Sequence, residues 1–105
     1  MGKKTNIIKS LRRFKEDLKK NIAVEKIIFF GSRANGEPND DSDIDLIVVS
    51  KNFEGKAFRY RQIGFYENWN LDYAVDFLCY TPEEFKKLKK QVTIVREAVR
   101  NGIEI

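Results

Sequence analysis

Two aspartates, Asp43 and Asp45, stand two residues apart in the run Ser42-Asp43-Ile44-Asp45-Leu46-Ile47-Val48-Val49. On a strand that spacing puts both carboxylates on one face, where they repel each other unless a cation lies between them. Oxygen ligands without a thiolate or imidazole nearby point to Mg²⁺ or Mn²⁺, and Mg²⁺ is commonly held by one or two carboxylates plus substrate phosphates. A third carboxylate within reach completes such a centre. Asp76, in Ala74-Val75-Asp76-Phe77-Leu78, has apolar neighbours on both sides, where a carboxylate is costly unless paired or metal-bound. Asp72 shares its parity but lies at the polar entrance of the same segment. The competing reading makes these residues strand-edge acids facing water, as the loop acids Asp40 and Asp41 are expected to be.

Gly31 and Ser32 follow directly on the apolar run Val24 to Phe30. Glycine there allows close backbone approach, the next amides can point outward, and the Ser32 hydroxyl adds a donor, so the pair can hold the terminal phosphates of a nucleotide. Taken alone, Gly-Ser after a strand is also an ordinary turn. Arg33 either touches the triphosphate or is a solvated cation at a helix start.

The chain has 105 residues, no histidine and one cysteine. Without histidine there is no imidazole base, no histidine-containing zinc site and no Ser-His-Asp relay. The lone Cys79 excludes an internal disulfide and fits a reducing compartment. The length fits one domain spanning 1–105, with an open or shared substrate site. No segment has the apolar run needed to span a bilayer, and the first residues lack a signal peptide's apolar core, so a soluble cytoplasmic protein without membrane contact is expected. The net charge of +4 is unevenly distributed: residues 1–20 carry eight Lys/Arg against Glu16 and Asp17, whereas residues 34–50 carry five acids and no cation. The basic start is either a solvated helix face or a track for a nucleic acid backbone.

These residues need elements to position them. Ile7, Ile8, Leu11, Phe14, Leu18 and Ile22 recur at threes and fours, which predicts an amphipathic helix over Thr5 to about Asn21, capped by Thr5 or Asn6. Val24 to Phe30 reads as a buried strand, Glu37 to Asp41 as a turn, and Ser42 to Ser50 as a second strand with Ile44, Leu46 and Val48 on the face opposite the aspartates. Phe53 to Trp69 is expected to be helical, although Gly55 and Gly64 weaken that pattern, and most of its aromatic residues are expected in the core. Leu71 to Tyr80 forms a third strand, with Cys79 and Phe77 buried on one face. Thr81-Pro82-Glu83-Glu84 starts a helix that runs to about Arg100, and Ile103 to Ile105 adds a short edge strand. The fold class is α/β (α+β), a small mixed sheet flanked by helices.

Gly31-Ser32, ten intervening residues, then Asp43-Ile44-Asp45, with Asp76 on a third strand, resembles the signature of the DNA polymerase β superfamily of nucleotidyltransferases, and most closely its minimal nucleotidyltransferase domain. The resemblance covers Val24 to Leu78 and implies nucleotidyl transfer. Asp43 and Asp45 would bind two Mg²⁺ ions. Asp76 would bind the catalytic ion and help deprotonate the attacking hydroxyl, and Gly31, Ser32 and Arg33 would hold the phosphates of a nucleoside triphosphate such as ATP. Larger relatives carry a further domain for the acceptor, which is missing here. The acceptor would therefore be held by another polypeptide or by a second copy of the chain. Minimal domains of this kind resemble antitoxins of toxin–antitoxin systems, which adenylylate a tyrosine of a HEPN-type helical partner. Alternatives are a non-catalytic nucleotide-binding or toxin-capping module, a small-molecule (aminoglycoside-like) transferase, and a nucleic acid acceptor.

Overall fold

The computed structural model describes residues 2–39 and 41–105. Helix α1 spans Lys3–Leu18 and buries Ile7, Leu11, Phe14 and Leu18, the stripe its spacing predicts. It starts before Thr5: extended Gly2 takes the N-cap position, and no side chain caps the helix.

Four strands follow: β1 (Lys26–Phe30), β2 (Ile44–Val49), β3 (Val75–Tyr80) and β4 (Ile103–Glu104), ordered β3-β2-β1-β4. β1 pairs antiparallel with β2 and β4, and β2 pairs parallel with β3. The sheet is thus mixed, as expected, and β3 is an edge strand. Both ends of the expected second strand are trimmed, so Asp43 lies just ahead of β2 instead of within it.

The pleat sorts the side chains of β2 into two clusters. Ile44, Leu46 and Val48 join α1, Phe77 and Cys79 on one face. Ile47 and Val49 join Ile28, Phe30, Phe85, Val95 and Ala98 on the other, under helices α3 (Pro82–Leu88) and α4 (Ile94–Asn101). Between β1 and β2 stands a single turn of helix, α2 (Ser32–Asn35).

Two helical expectations fail. Phe53 to Trp69 is not a helix but a chain of loops and 3₁₀ turns at Lys51–Phe53, Phe58–Tyr60 and Phe65–Asn68. Gly55 and Gly64 adopt φ of 78° and 92°, a left-handed backbone that ends any helix at those points. Its aromatics divide evenly: Phe53 and Phe65 are buried and Trp69 packs against the same cluster, whereas Phe58, Tyr60 and Tyr66 are 46%, 50% and 56% exposed, so core packing accounts for half of them instead of most. Arg61 secures this segment, donating to the Lys56 and Cys79 carbonyls and to the Glu84 carboxylate. The second failure is the long final helix, which is two helices. The Thr93 hydroxyl donates to the Leu88 carbonyl at 2.7 Å and accepts from the Arg96 amide, closing one helix and capping the next. Before α3 the expected start holds fully: Thr81 and Glu84 form a capping box with Pro82 at the first turn.

Cys79 is buried as expected, and burial pushes its thiol up to about 12. No helix among the described residues is long and apolar enough to cross a membrane.

Candidate active site

The three predicted aspartates gather at one end of the sheet. In the parallel ladder Asp45 lies directly opposite Asp76, and in the antiparallel ladder it lies opposite Phe30, the last residue before Gly31. Partners in register point to the same face, so Asp45 and Asp76 stand side by side, with Asp43 two residues earlier, just ahead of β2. Asp45 is half-buried and Asp43 and Asp76 are exposed. Burial, then the charges of Asp76 and Asp43, push the Asp45 carboxyl above the usual range. The expected cost of burying Asp76 does not arise: it faces water on the edge strand, and register, not burial, brings it to the site.

Gly31 supplies the space. Its φ of 85° is one that side chains rarely adopt, and a Cβ there would collide with the Asp45 carboxylate. The carboxylate therefore lies against bare backbone, directly before α2. Within that turn the Ala34 and Asn35 amides both donate to the Gly31 carbonyl at 3.0 Å, and Ser32 opens the helix with its side chain exposed.

Arg33 turns away from this opening. Its Nε donates to the Ser42 carbonyl at 2.6 Å and its Nη2 to the Asn39 carbonyl at 3.0 Å. Its guanidinium carbon lies 4.4 Å from the centre of the Tyr73 ring. It thus ties α2 to the residue before Asp43 and to the loop that enters β3. The Ser42 hydroxyl accepts from the Asn39 amide at 3.0 Å and tightens the same turn. Asp40, expected to be a solvated loop acid, lies outside the described residues; Asp41 is exposed as expected.

A cleft of about 490 Å³ opens beside Gly31, Ser32 and Asp45. Its far wall is α4, through Ile94, Glu97, Ala98 and Asn101, which the sequence reading did not assign to the site. Their only sequence signal is an amphipathic spacing shared with any packed helix.

Among the described residues no three carboxylates are drawn together closely enough to hold a metal ion as they stand. The donor set nonetheless suits a hard divalent cation: all the ligands are carboxylate oxygens, two face each other in register, and the space above Gly31 is kept clear of side chain.

The nucleotidyltransferase domain family matches residues 11–101, and the chain belongs to that family. Two Methanocaldococcus jannaschii proteins, each named "Putative protein adenylyltransferase", are similar to it. One is 50% identical over 38 residues, covering 36% of this chain and 44% of that protein. The other is 25% identical over 101 residues, covering 94% of this chain and 98% of that protein. This chain therefore matches less than half the length of the first relative and nearly all of the second. Among solved structures, one titled "Crystal structure of a putative nucleotidyltransferase" from Sulfolobus solfataricus superposes with a TM-score of 0.58 over 99% of this chain and 87% of that one. At 22% identity this likeness speaks for the fold.

Proposed function

We propose that the chain transfers AMP from ATP, with Mg²⁺, to the hydroxyl of a tyrosine on a HEPN-type helical partner protein, as the antitoxin of a cytoplasmic toxin–antitoxin pair. The observation that carries the nucleotidyl chemistry is the register of Asp45 opposite Asp76, with Asp43 beside them and Gly31 cleared for a phosphate. The two curated relatives named for protein adenylyl transfer support a protein acceptor.

In this reading Asp43, Asp45 and Asp76 hold two divalent ions, which when bound neutralise the reacting phosphate and lower the pKa of the attacking hydroxyl. The chain's own residues do the rest. The bare backbone at Gly31 admits the triphosphate, the exposed Ser32 hydroxyl donates to a phosphate oxygen, and Asp76 on the open edge of the sheet takes the proton of the incoming hydroxyl. The hydroxyl oxygen bonds to the α-phosphorus, and the bond to pyrophosphate breaks in line. Histidine is not needed. Arg33, engaged by loop carbonyls, acts in this scheme by holding the Asp43 and Asp76 approaches in place.

The test incubates the chain with α-labelled ATP, Mg²⁺ and the helical protein encoded beside it, in parallel with a D43A/D45A variant. Label on a partner tyrosine with the parent chain, and none with the variant, is expected. Equal label with both, or none with either, sinks the enzymatic assignment for that acceptor. Neutralisation of the partner by the variant would then mark a capping module.

A further inference from the structure

The α4 wall of the cleft beside the aspartates carries polar groups that phosphate chemistry does not use. Glu97, on α4, faces Gly31, Ser32 and Asp45 across the opening, while Phe30, Ile94 and Ala98 supply apolar lining. About 490 Å³ with a few convergent polar groups is the size and character of a small-molecule site. Among the described residues no cation lies within ion-pair distance of Glu97. Its carboxylate is instead held by the Asn101 side-chain amide, one turn on, at 2.9 Å.

The wall carrying this pair is firmly placed. Val95 and Ala98 are buried beneath it. Its end is pinned where the Gly102 amide donates to the Ala98 carbonyl at 2.7 Å, and a Cβ at Gly102 would strike that carbonyl and Ile28. The next residue, Ile103, pairs with Phe29 in the sheet. Glu97 and Asn101 are therefore presented from a rigid element, not from a loop.

We propose that Glu97 and Asn101 form the sugar-binding wall of the nucleotide site, the Glu97 carboxylate accepting from a ribose hydroxyl while the Asn101 amide fixes its orientation. The inference rests on the nucleotide reading above and deepens it. Charge decides the orientation of the ligand. In the nucleotide reading the cations held by Asp43, Asp45 and Asp76 draw the triphosphate to the Gly31 end, whereas Glu97, with no counter-cation, repels a phosphate and accepts from a hydroxyl, so the sugar, one phosphate ester away, belongs at the α4 end. The apolar patch between them suits the sugar ring and the flat face of a base.

Calorimetric titration of ATP, 2′-deoxy-ATP and 3′-deoxy-ATP, with Ca²⁺ to hold turnover, compares the parent chain with Glu97→Ala and Glu97→Gln. Both variants keep the fold, because the side chain is exposed. A hydrogen bond to a charged acceptor contributes roughly 10- to 100-fold in affinity. The parent is expected to prefer ATP over one of the deoxy analogues by about that factor. Glu97→Ala should lower ATP binding to the level of that analogue and leave the analogue's own affinity unchanged, and Asn101→Ala should lie between. An unchanged ATP-to-deoxy ratio in Glu97→Ala, or equal tightening of all three ligands by removal of a repelling charge, overturns the sugar contact while nucleotide binding stands. Failure of the parent to bind any of the three overturns both.

Discussion

Replacing Arg33 with lysine keeps the charge but removes the fork, and the outcome separates two roles for this residue. The guanidinium donates from Nε to Ser42 and from Nη2 to Asn39, two carbonyls on one loop, while its plane lies over Tyr73. An ammonium reaches only one of the carbonyls and stacks poorly. Hydrogen bonds from a charged donor contribute about 1.5–3 kcal/mol each in buried settings, and a cation–π contact about 0.5–1 kcal/mol near the surface. The side chain is half-exposed, so roughly 2 kcal/mol for the whole cluster is a discounted figure. For a domain of this size that corresponds to a fall in Tm of roughly 8–16 °C in thermal unfolding. Arg33→Lys should therefore recover at most a minor part of the stability lost in Arg33→Ala, and both should speed hydrogen exchange at Ser42 and Ile44, whose amides donate to Asn39 at 3.1 Å and Ala74 at 2.9 Å. In a transfer assay kcat falls more than the KM for the triphosphate rises, because what is lost is the placement of Asp43 and Asp76. A phosphate-binding Arg33 gives the opposite pattern: unchanged Tm within about 2 °C, a raised KM, and substantial rescue by lysine. That pattern would refute the positioning role.

Gly31→Ala combines a left-handed backbone with a Cβ driven into the Asp45 carboxylate, so more than about 1 kcal/mol of stability should be lost in denaturant melts, and nucleotide titration should show no binding even where the variant is folded. Glu84 tests the acid limb of stability. Hydrogen bonding to Arg61 holds its carboxyl below the usual range, so its contribution is present above the unfolded value near 4.5 and is lost as pH falls through the lower folded value. Unfolding free energies measured from pH 6 down to 3 should therefore drop less steeply in Glu84→Gln than in the parent, and identical slopes would remove Glu84 from the account.

What could be read from the sequence follows from which interactions are local. The spacing of two between Asp43 and Asp45 and the apolar neighbours of Asp76 are local features, so the carboxylates and Gly31 were legible once the apolar runs were found, whereas the register that sets Asp76 opposite Asp45 was not. The stripe of α1 and the capping box at Thr81 are equally local. Phe53 to Trp69 misled because its apolar spacing is helical while Gly55 and Gly64 sit at positive φ and break the helix at both points. The break at Thr93 was missed because a threonine among helix formers signals a cap only when something else stops the preceding helix. Arg33 was open between two readings because its actual acceptors are backbone carbonyls, which every residue possesses. Glu97 and Asn101 belong to the cleft only through the packing of α4 on β1, which no spacing encodes.

The arrangement also explains how so small a domain tolerates three clustered carboxylates. Asp45 carries a raised carboxyl, so the folded chain binds that proton more tightly than the unfolded chain, and stability declines as pH rises through this range. Two features keep the loss small. Asp43 and Asp76 face water, where the repulsion is screened, and β2 is clamped from both sides, by Leu46 and Val48 in one apolar cluster and by Ile47 and Val49 in the other. The acidic end is therefore an extension of a strand whose other residues are all buried, not a separate loop that could swing away from the charge. Moving Asp45 inward would raise the desolvation cost, and moving Asp76 from the edge to a central strand would close its route to an acceptor. The edge position of β3 and the half-buried position of Asp45 are thus the compromise that leaves the carboxylates together, in register, and open to a cation and a second reactant.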